Sequence, residues 1–258
     1  MLVGLRFGPM ADNQFDEALE LVRAAERQRV TLRLVGGLAV RALCPAFPPR
    51  SHDRQDLDFA STSAARTAVT AFLAARSFEP DDHFNQIHGH KQLYFRSPAG
   101  RSVDVLIDRL EMCHALDFRD RLDRMPLTLD VTDLLLTKLQ IVELNEKDAA
   151  DVLQLLGAYP VRPGDGSGTI GLARFGEIVG DDWGWWRTVT GNLERIRSLA
   201  TGDGASLEPP APPFDPVEQL GALLDEAERV PKSRRWRLRA LIGERVRWYE
   251  LPEVEAHD

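Results

Sequence analysis

The groups in this sequence best placed to do chemistry are two aspartates one residue apart, Asp56 and Asp58, and a third, Asp104, in a separate run of alternating apolar residues. Residues i and i+2 of a strand point to one face. In DLDFA (56–60) the two carboxylates therefore project together, while Leu57 and Phe59 face a core. In SVDVLID (102–108) Val103, Val105 and Ile107 take the apolar face and Asp104 the opposite one. Carboxylates held side by side repel each other at neutral pH unless a cation relieves them. Hard oxygen donors of this kind suit Mg²⁺, which completes its shell with water and substrate phosphate. Gly36 and Gly37 stand twenty residues before Asp56, at the end of the aliphatic run TLRLV (31–35). A strand that ends in two glycines and opens a helix offers free backbone N–H groups to an anion at close range. Phosphate beside a di-carboxylate metal site is the constellation for phosphoryl or nucleotidyl transfer.

The elements that must position these groups can be read from periodicity. Residues 16–29 place Leu19, Leu21, Val22 and Ala25 at helical spacing. TLRLV predicts a strand, LAVRALC a helix that stops before Pro45, and Pro45–Arg54 a loop. After the strand at 56–60, Thr62 or Ser63 can cap a helix through Arg76, and strands follow at 91–95 and 102–108 around the turn SPAGR. From about residue 110 the pattern becomes helical. Helices are expected at 131–144, capped by Thr132, and at 148–156, capped by Asn145. A tryptophan-rich helix (Trp183, Trp185, Trp186) is expected between Pro/Gly stretches at 157–168 and 202–216, and a helical pair at about 216–229 and 232–249.

These readings predict an α+β protein with a small mixed sheet, flanking helices and a helical C-terminal region. The expected division is a catalytic domain at 1–115, a helical segment completing the site at 116–160, and a helical region at 161–258 with linkers near 157–168 and 202–216.

Net charge is −8, with 32 Lys+Arg against 40 Asp+Glu, which gives no global attraction to nucleic acid or an anionic membrane. Its distribution is uneven. Residues 229–248 carry eight basic residues (Arg229, Lys232, Arg234, Arg235, Arg237, Arg239, Arg245, Arg247) against Glu244. That stretch reads either as an amphipathic helix with Leu238, Leu241, Ile242 and Val246 packed inward, or as a phosphate-tracking patch for RNA; both can hold. Cys44 and Cys113 make no disulfide framework or CxxC pair. The start, MLVGLRFGPMADNQ, lacks a signal pattern, and no apolar stretch approaches the ~20 residues of a membrane span. The expectation is a cytoplasmic protein with no membrane contact. No GxGxxG, GxSxG or Walker A run is present, which removes the usual support for dinucleotide oxidoreductases, α/β-hydrolases and P-loop enzymes.

Lysine is scarce: Lys91, Lys138, Lys147 and Lys232 are the only four among the 32 basic residues. Lys138 follows Leu134, Leu135 and Leu136 in a largely apolar helix. Either it reaches solvent at the helix edge, or its ammonium meets a triphosphate or the carboxylates. His83, His88 and His90 lack the spacing of a zinc site and read instead as part of the hairpin before Asp104, near enough to touch a nucleotide. The tryptophans read as packing of the helical region rather than as base-stacking platforms.

LVGGLAV, RQDLDFA and SVDVLID together resemble the minimal nucleotidyltransferases of the DNA polymerase β superfamily, whose pattern is hG[GS], a loop, DhD and a third Asp on a later strand. VTDLLLTKLQIVELNEKDAADVLQLL further resembles the helical segment of the AbiE-type and MenT-type toxin nucleotidyltransferases, where a lysine and a K-D-x-x-D run complete the site. The resemblance spans about residues 30–156. It departs at the R-x-T-x lead-in to DhD, where this chain has His52 and Arg54. It implies that Asp56 and Asp58 hold two Mg²⁺ ions and that Asp104 ligates one of them and helps activate an acceptor hydroxyl. Gly36 and Gly37 would cradle the β/γ phosphates of a nucleoside triphosphate (NTP), with Lys138 and Asp148 in the nucleotide site and Asp151 beside them. The activity implied is transfer of a nucleoside monophosphate (NMP) group with release of pyrophosphate. A toxin acting on tRNA, bound through the basic 229–248 helix and paired with an antitoxin protein, is the narrower form. The alternatives are an antibiotic-type small-molecule acceptor and a catalytically silent nucleotide-binding or scaffold protein.

Overall fold

The structure is a computed structural model that describes residues 13–47, 56–201 and 212–251. His52, Arg54 and most of the linker read at 202–216 lie outside the described residues.

The chain opens with α1 (Asn13–Arg27), whose apolar side buries Ala18, Leu21, Val22 and Ala25. A two-residue strand β1 (Arg33–Leu34) runs into α2 (Gly36–Leu43), then β2 (Leu57–Ser61). Thr62 caps the following turn by accepting from the Ala65 N–H, and the chain continues as α3 (Arg66–Ala74). Next come β3 (Glu79–Pro80), α4 (Asp82–His88), β4 (Gln92–Arg96) and β5 (Ser102–Ile107). The five strands form one mixed sheet in the order β1-β2-β5-β4-β3. Its central pair, β2 and β5, is parallel, and the other neighbours are antiparallel. Leu57, Phe59, Val103, Val105 and Ile107 are buried on one face, as the alternation requires. His83 and His88 therefore sit on a helix that precedes β4, not on a hairpin. Asp81 caps that helix by accepting from the Phe84 N–H.

A short hairpin of β6 (Arg109–Glu111) and β7 (Ala115–Asp117) leads to the helical half. There α5 (Val131–Leu139) is buried along its whole length, and α6 (Glu146–Ala158) packs beside it. Asn145 caps α6 as expected, but Asp130 rather than Thr132 caps α5, and α5 ends at Leu139. The stretch read as a linker at 157–168 closes α6 and supplies β8 (Val161–Arg162), which pairs with β9 (Ile170–Gly171). The last helices are α7 (Leu172–Asp181), α8 (Trp183–Thr201), α9 (Pro216–Arg229) and α10 (Arg234–Ile242). The buried apolar side chains of the sheet and of the helices join in one continuous core that runs from α1 to α9.

The basic C-terminal segment departs from its expected form. In place of a helix over 232–249, α10 stops at Ile242, because Gly243 adopts φ +60°. Its aliphatic residues do not pack inward: Leu238 is 67% exposed and Leu241 78%. The inward side is taken by larger groups. Trp236 lies edge-on to Trp186 at 5.3 Å, and the Arg239 guanidinium lies 4.8 Å from the Trp183 ring. Among the described residues no helix is long and apolar enough to cross a membrane.

The N-terminal end of α5 is clamped by ion pairs. Asp133, fully buried, accepts from Arg174 at 3.0 Å and also from Arg121. Arg121 and Arg124 both reach Asp165, at 2.8 and 3.1 Å, which ties down the loop between β8 and β9. Thr132 adds a bridge, donating to Thr169 O and accepting from the Gly171 N–H. Removing one partner of a buried pair strands the other charge. Asp133→Ala is therefore expected to lower the free energy of unfolding by about 3 kcal/mol, read as a lower midpoint in urea with an unchanged slope.

Candidate active site

Parallel pairing sets Asp58 directly opposite Asp104 on neighbouring strands. Residues opposite each other in a parallel ladder project to the same face, with strands about 4.8 Å apart, so the two carboxylates share one side of the sheet. Both are half-buried, whereas their sequence neighbours Leu57, Phe59, Val103 and Val105 are fully buried on the other side. Asp56 lies exposed one residue ahead of β2 and acts on Asp58 through its charge. Burial, and then the charges of Asp104 and Asp56, push the Asp58 carboxyl up from 3.8 to about 7, and Lys138 opposes the shift.

Gly36 is the residue on which the chain turns from β1 into α2, at φ +65°. A Cβ there would come within 2.6 Å of Asp58 Oδ2. The position thus needs glycine twice over, for its backbone and for the carboxylate that fills the place of its side chain. Gly37 follows in the first turn of α2, at a negative φ, and is not among the cleft-lining residues.

Lys138 does not reach solvent. It is 8% exposed near the end of α5, with Nζ 3.0 Å from both Asp148 Oδ1 and Asp151 Oδ2 on α6. Gly36, Asp58, Asp104, Lys138 and Asp148 all line one cleft of about 660 Å³. The structure thus gathers five of the seven residues singled out for the site, while Asp56 and Gly37 are not among the lining residues. Among the described residues no group of three or more His, Cys, Asp or Glu side chains able to hold a metal ion is found, so Asp56 does not join Asp58 and Asp104 in a three-carboxylate set.

Several lining residues were not foreseen. Gln92 donates from Nε2 to Asp104 Oδ1 and so orients it. Its strand period, on the same face as Tyr94 opposite Asp104, was the available signal. Lys91, the other scarce lysine in the cleft, pairs with Glu111 at 2.6 Å, and Arg109 pairs with the same carboxylate. Phe84 of α4 forms an aromatic wall with His88, with ring centroids 4.7 Å apart; of the three histidines read as near the nucleotide, His88 alone lines the cleft. A second groove, of about 1090 Å³, shares Lys91, Glu111, Met112 and Glu250 with the cleft. It continues past Trp183, Trp248 and Tyr249, with Arg247 over the Tyr249 ring at 5.2 Å.

No protein-family model matches the chain, and no match is found among curated proteins. Two solved structures align over most of it. One is an antigenic nucleotidyltransferase-like protein from Paracoccidioides brasiliensis, at 12% identity and TM-score 0.39, over 88% of this chain and 97% of that one. The other is a cytoplasmic RNA terminal U-transferase, at 14% identity and TM-score 0.31, over 85% of this chain and 65% of that one. At this level of likeness the chemistry has to be read from the cleft itself.

The two glycines are expected to behave differently. Gly36→Ala should destabilise the protein by about 1–2 kcal/mol from the left-handed backbone alone and displace the Asp58 carboxylate. Gly37→Ala, at a backbone that is not left-handed, should lose less. Thermal melts of the two variants check this, and equal losses would contradict it.

Proposed function

We propose that the cleft transfers an NMP group from an NTP to an acceptor hydroxyl, with release of pyrophosphate. The observation that carries this reading is the in-register placement of Asp58 and Asp104, facing Gly36 at the start of α2 and the Lys138 ammonium. The donor set fits a divalent cation. Its ligands are hard carboxylate oxygens, and Asp58 is driven toward its protonated form first by burial and then by the charges of Asp104 and Asp56. Asp58 and Asp104 would hold Mg²⁺ together with water and substrate oxygens, and Asp56, exposed one residue ahead of β2, would have to turn in to add a third carboxylate and a second ion. Bound there, the metal would offset charge on the phosphates and on the attacking and leaving oxygens.

The chain's own groups have separate tasks. The backbone at Gly36 and the first turn of α2, Gly37 included, would face the β/γ phosphates. Lys138 supplies positive charge on the same side, and Asp148 and Asp151 hold it in place. Asp104, oriented by Gln92, accepts the proton of the acceptor hydroxyl. That oxygen bonds to the α-phosphorus as the bond to the bridging oxygen breaks, and pyrophosphate departs. Positioning and charge compensation supply the catalysis.

An RNA 3′ end is the acceptor we favour, and tRNA is its narrow form, in line with the likeness of 131–156 to toxin nucleotidyltransferases. A toxin role with an antitoxin partner belongs to that narrow form. The adjoining groove supports RNA, because it joins the cleft and offers Trp248, Tyr249 and Arg247 as stacking and phosphate-contacting groups. A small-molecule acceptor is the second reading: the same groove is also lined by Glu177, Asp181 and Asp182, polar groups paired with Arg174 and Arg235 that a small cationic hydroxyl compound would have to compete for.

The test is incubation with each α-labelled NTP, Mg²⁺ and total RNA, beside Asp58→Ala. Label entering RNA, lowered at least about 100-fold by the substitution, is the expected result. Pyrophosphate release that depends on an added small cationic hydroxyl compound would move the assignment to the second reading. Absence of both label transfer and pyrophosphate release would contradict nucleotidyl transfer.

A further inference from the structure

The outward side of α10 is an apolar stripe rimmed by arginine. Leu238, Leu241 and Ile242 share one side of α10 at spacings of three and one residues, Val246 follows beyond the break at Gly243, and all four are exposed, at 67%, 78%, 46% and 58%. Among the described residues the other large exposed apolar side chains are Ile87, Leu199 and Leu251, so exposure concentrates here rather than scattering. Scattered exposed aliphatics need no explanation, but a contiguous patch marks an interaction surface.

The arginines divide by face. Arg235 turns toward α7 and α8 and pairs with Asp182 at 2.8 Å, and Arg239 donates to the Gly243 and Val246 carbonyls. Arg234, Arg237 and Arg245 are exposed beside the leucines, and no ion pair engages them among the described residues. The stripe therefore combines unburied leucine with uncompensated positive charge.

We propose that this face docks an acidic amphipathic helix of another protein, its apolar side on Leu238, Leu241, Ile242 and Val246 and its carboxylates on Arg234, Arg237 and Arg245. Leucines at i, i+3 and i+4 form a ridge on which the apolar side of a second helix can pack, and opposite charge beside it sets partner and register. Other occupants meet only part of the surface. RNA would satisfy the arginines and leave the leucines in water. A second copy docking through the same face would set arginine against arginine. A bilayer would draw on an interfacial tryptophan, and Trp236 is turned inward on Trp186. The proposal is independent of the chemistry assigned to the cleft.

The experiment is fluorescence anisotropy of the full chain with a labelled synthetic helix of about 20 residues, leucine at i, i+3, i+4 and i+7 with flanking glutamates. Comparators are the same peptide with lysine for glutamate and a labelled single-stranded RNA. The acidic peptide should bind, and the lysine version at least about tenfold more weakly. Leu238→Ser with Leu241→Ser, and separately Arg234→Glu with Arg237→Glu, should each weaken binding by a similar factor without changing the melting temperature. No binding of the acidic peptide, or equal binding by the leucine variant, overturns the proposal. So does RNA binding lost in the arginine variant when the peptide does not bind, or a dimer in sedimentation that the leucine variant abolishes.

Discussion

Asp58 and Asp104 repel each other and cannot move apart. They are opposite members of a parallel ladder whose other face, Leu57, Phe59, Val103 and Val105, is locked into the core. Sliding the strands by one residue to separate the charges would turn every apolar side chain of that face outward. The repulsion therefore persists, and the surroundings answer it. Asp58 is pushed to about 7, first by burial and then by Asp104 and Asp56. Near neutral pH Asp58 therefore sits close to the midpoint between its charged and neutral forms. Gly36 fits the same constraint, since its missing side chain leaves room for the Asp58 carboxylate beside the start of α2.

Lys138 enters this balance from the helical half. It acts on Asp58 by its charge while its Nζ is held by Asp148 and Asp151 at 3.0 Å, so part of its positive charge is already committed. A lysine buried among three carboxylates is fixed in place only if its helix is. The N-terminal end of α5 is held by Asp133 with Arg121 and Arg174, and by Thr132 with the chain at Thr169–Gly171. The arginine-rich clamp holds one end of α5, and Lys138 lies near the other.

Much of this was legible in the sequence because it depends on short periods and local chemistry. Alternation in DLDFA and SVDVLID assigns the aspartates to one face, and the neighbouring placement of the two strands turns that pattern into a site. Asn145 and Thr62 cap where expected because their hydroxyl or amide competes locally for a backbone N–H. Lys138 was marked by rarity, but its burial was not, since partners ten and thirteen residues away lie on another helix. Lys91 carried the same compositional mark and was passed over. Gln92 and the Arg121–Asp133–Arg174 network depend on contacts between elements distant in sequence, which no local pattern encodes. The C-terminal region misled for a definite reason. Leu238, Leu241 and Ile242 have the spacing of an inward face, but Trp236 and Arg239 present more contact area to the tryptophans of α8 and take the interior.

The electrostatic state of Asp58 is open to direct observation. Because its carboxyl is raised above the ordinary value near 3.8, folding takes up a proton between about pH 4 and 7, and stability from this group falls as pH rises through that window. A bound divalent cation would compete with the proton and lower the midpoint. The decisive measurement is a ¹³C NMR titration of the aspartate side-chain carboxyls, with Asp58→Asn for assignment, in the absence and presence of Mg²⁺. The expected result is an Asp58 midpoint near 7 without the ion and at least about one unit lower with it. An Asp58 that titrates near 4 without metal, or that ignores Mg²⁺, would contradict the account.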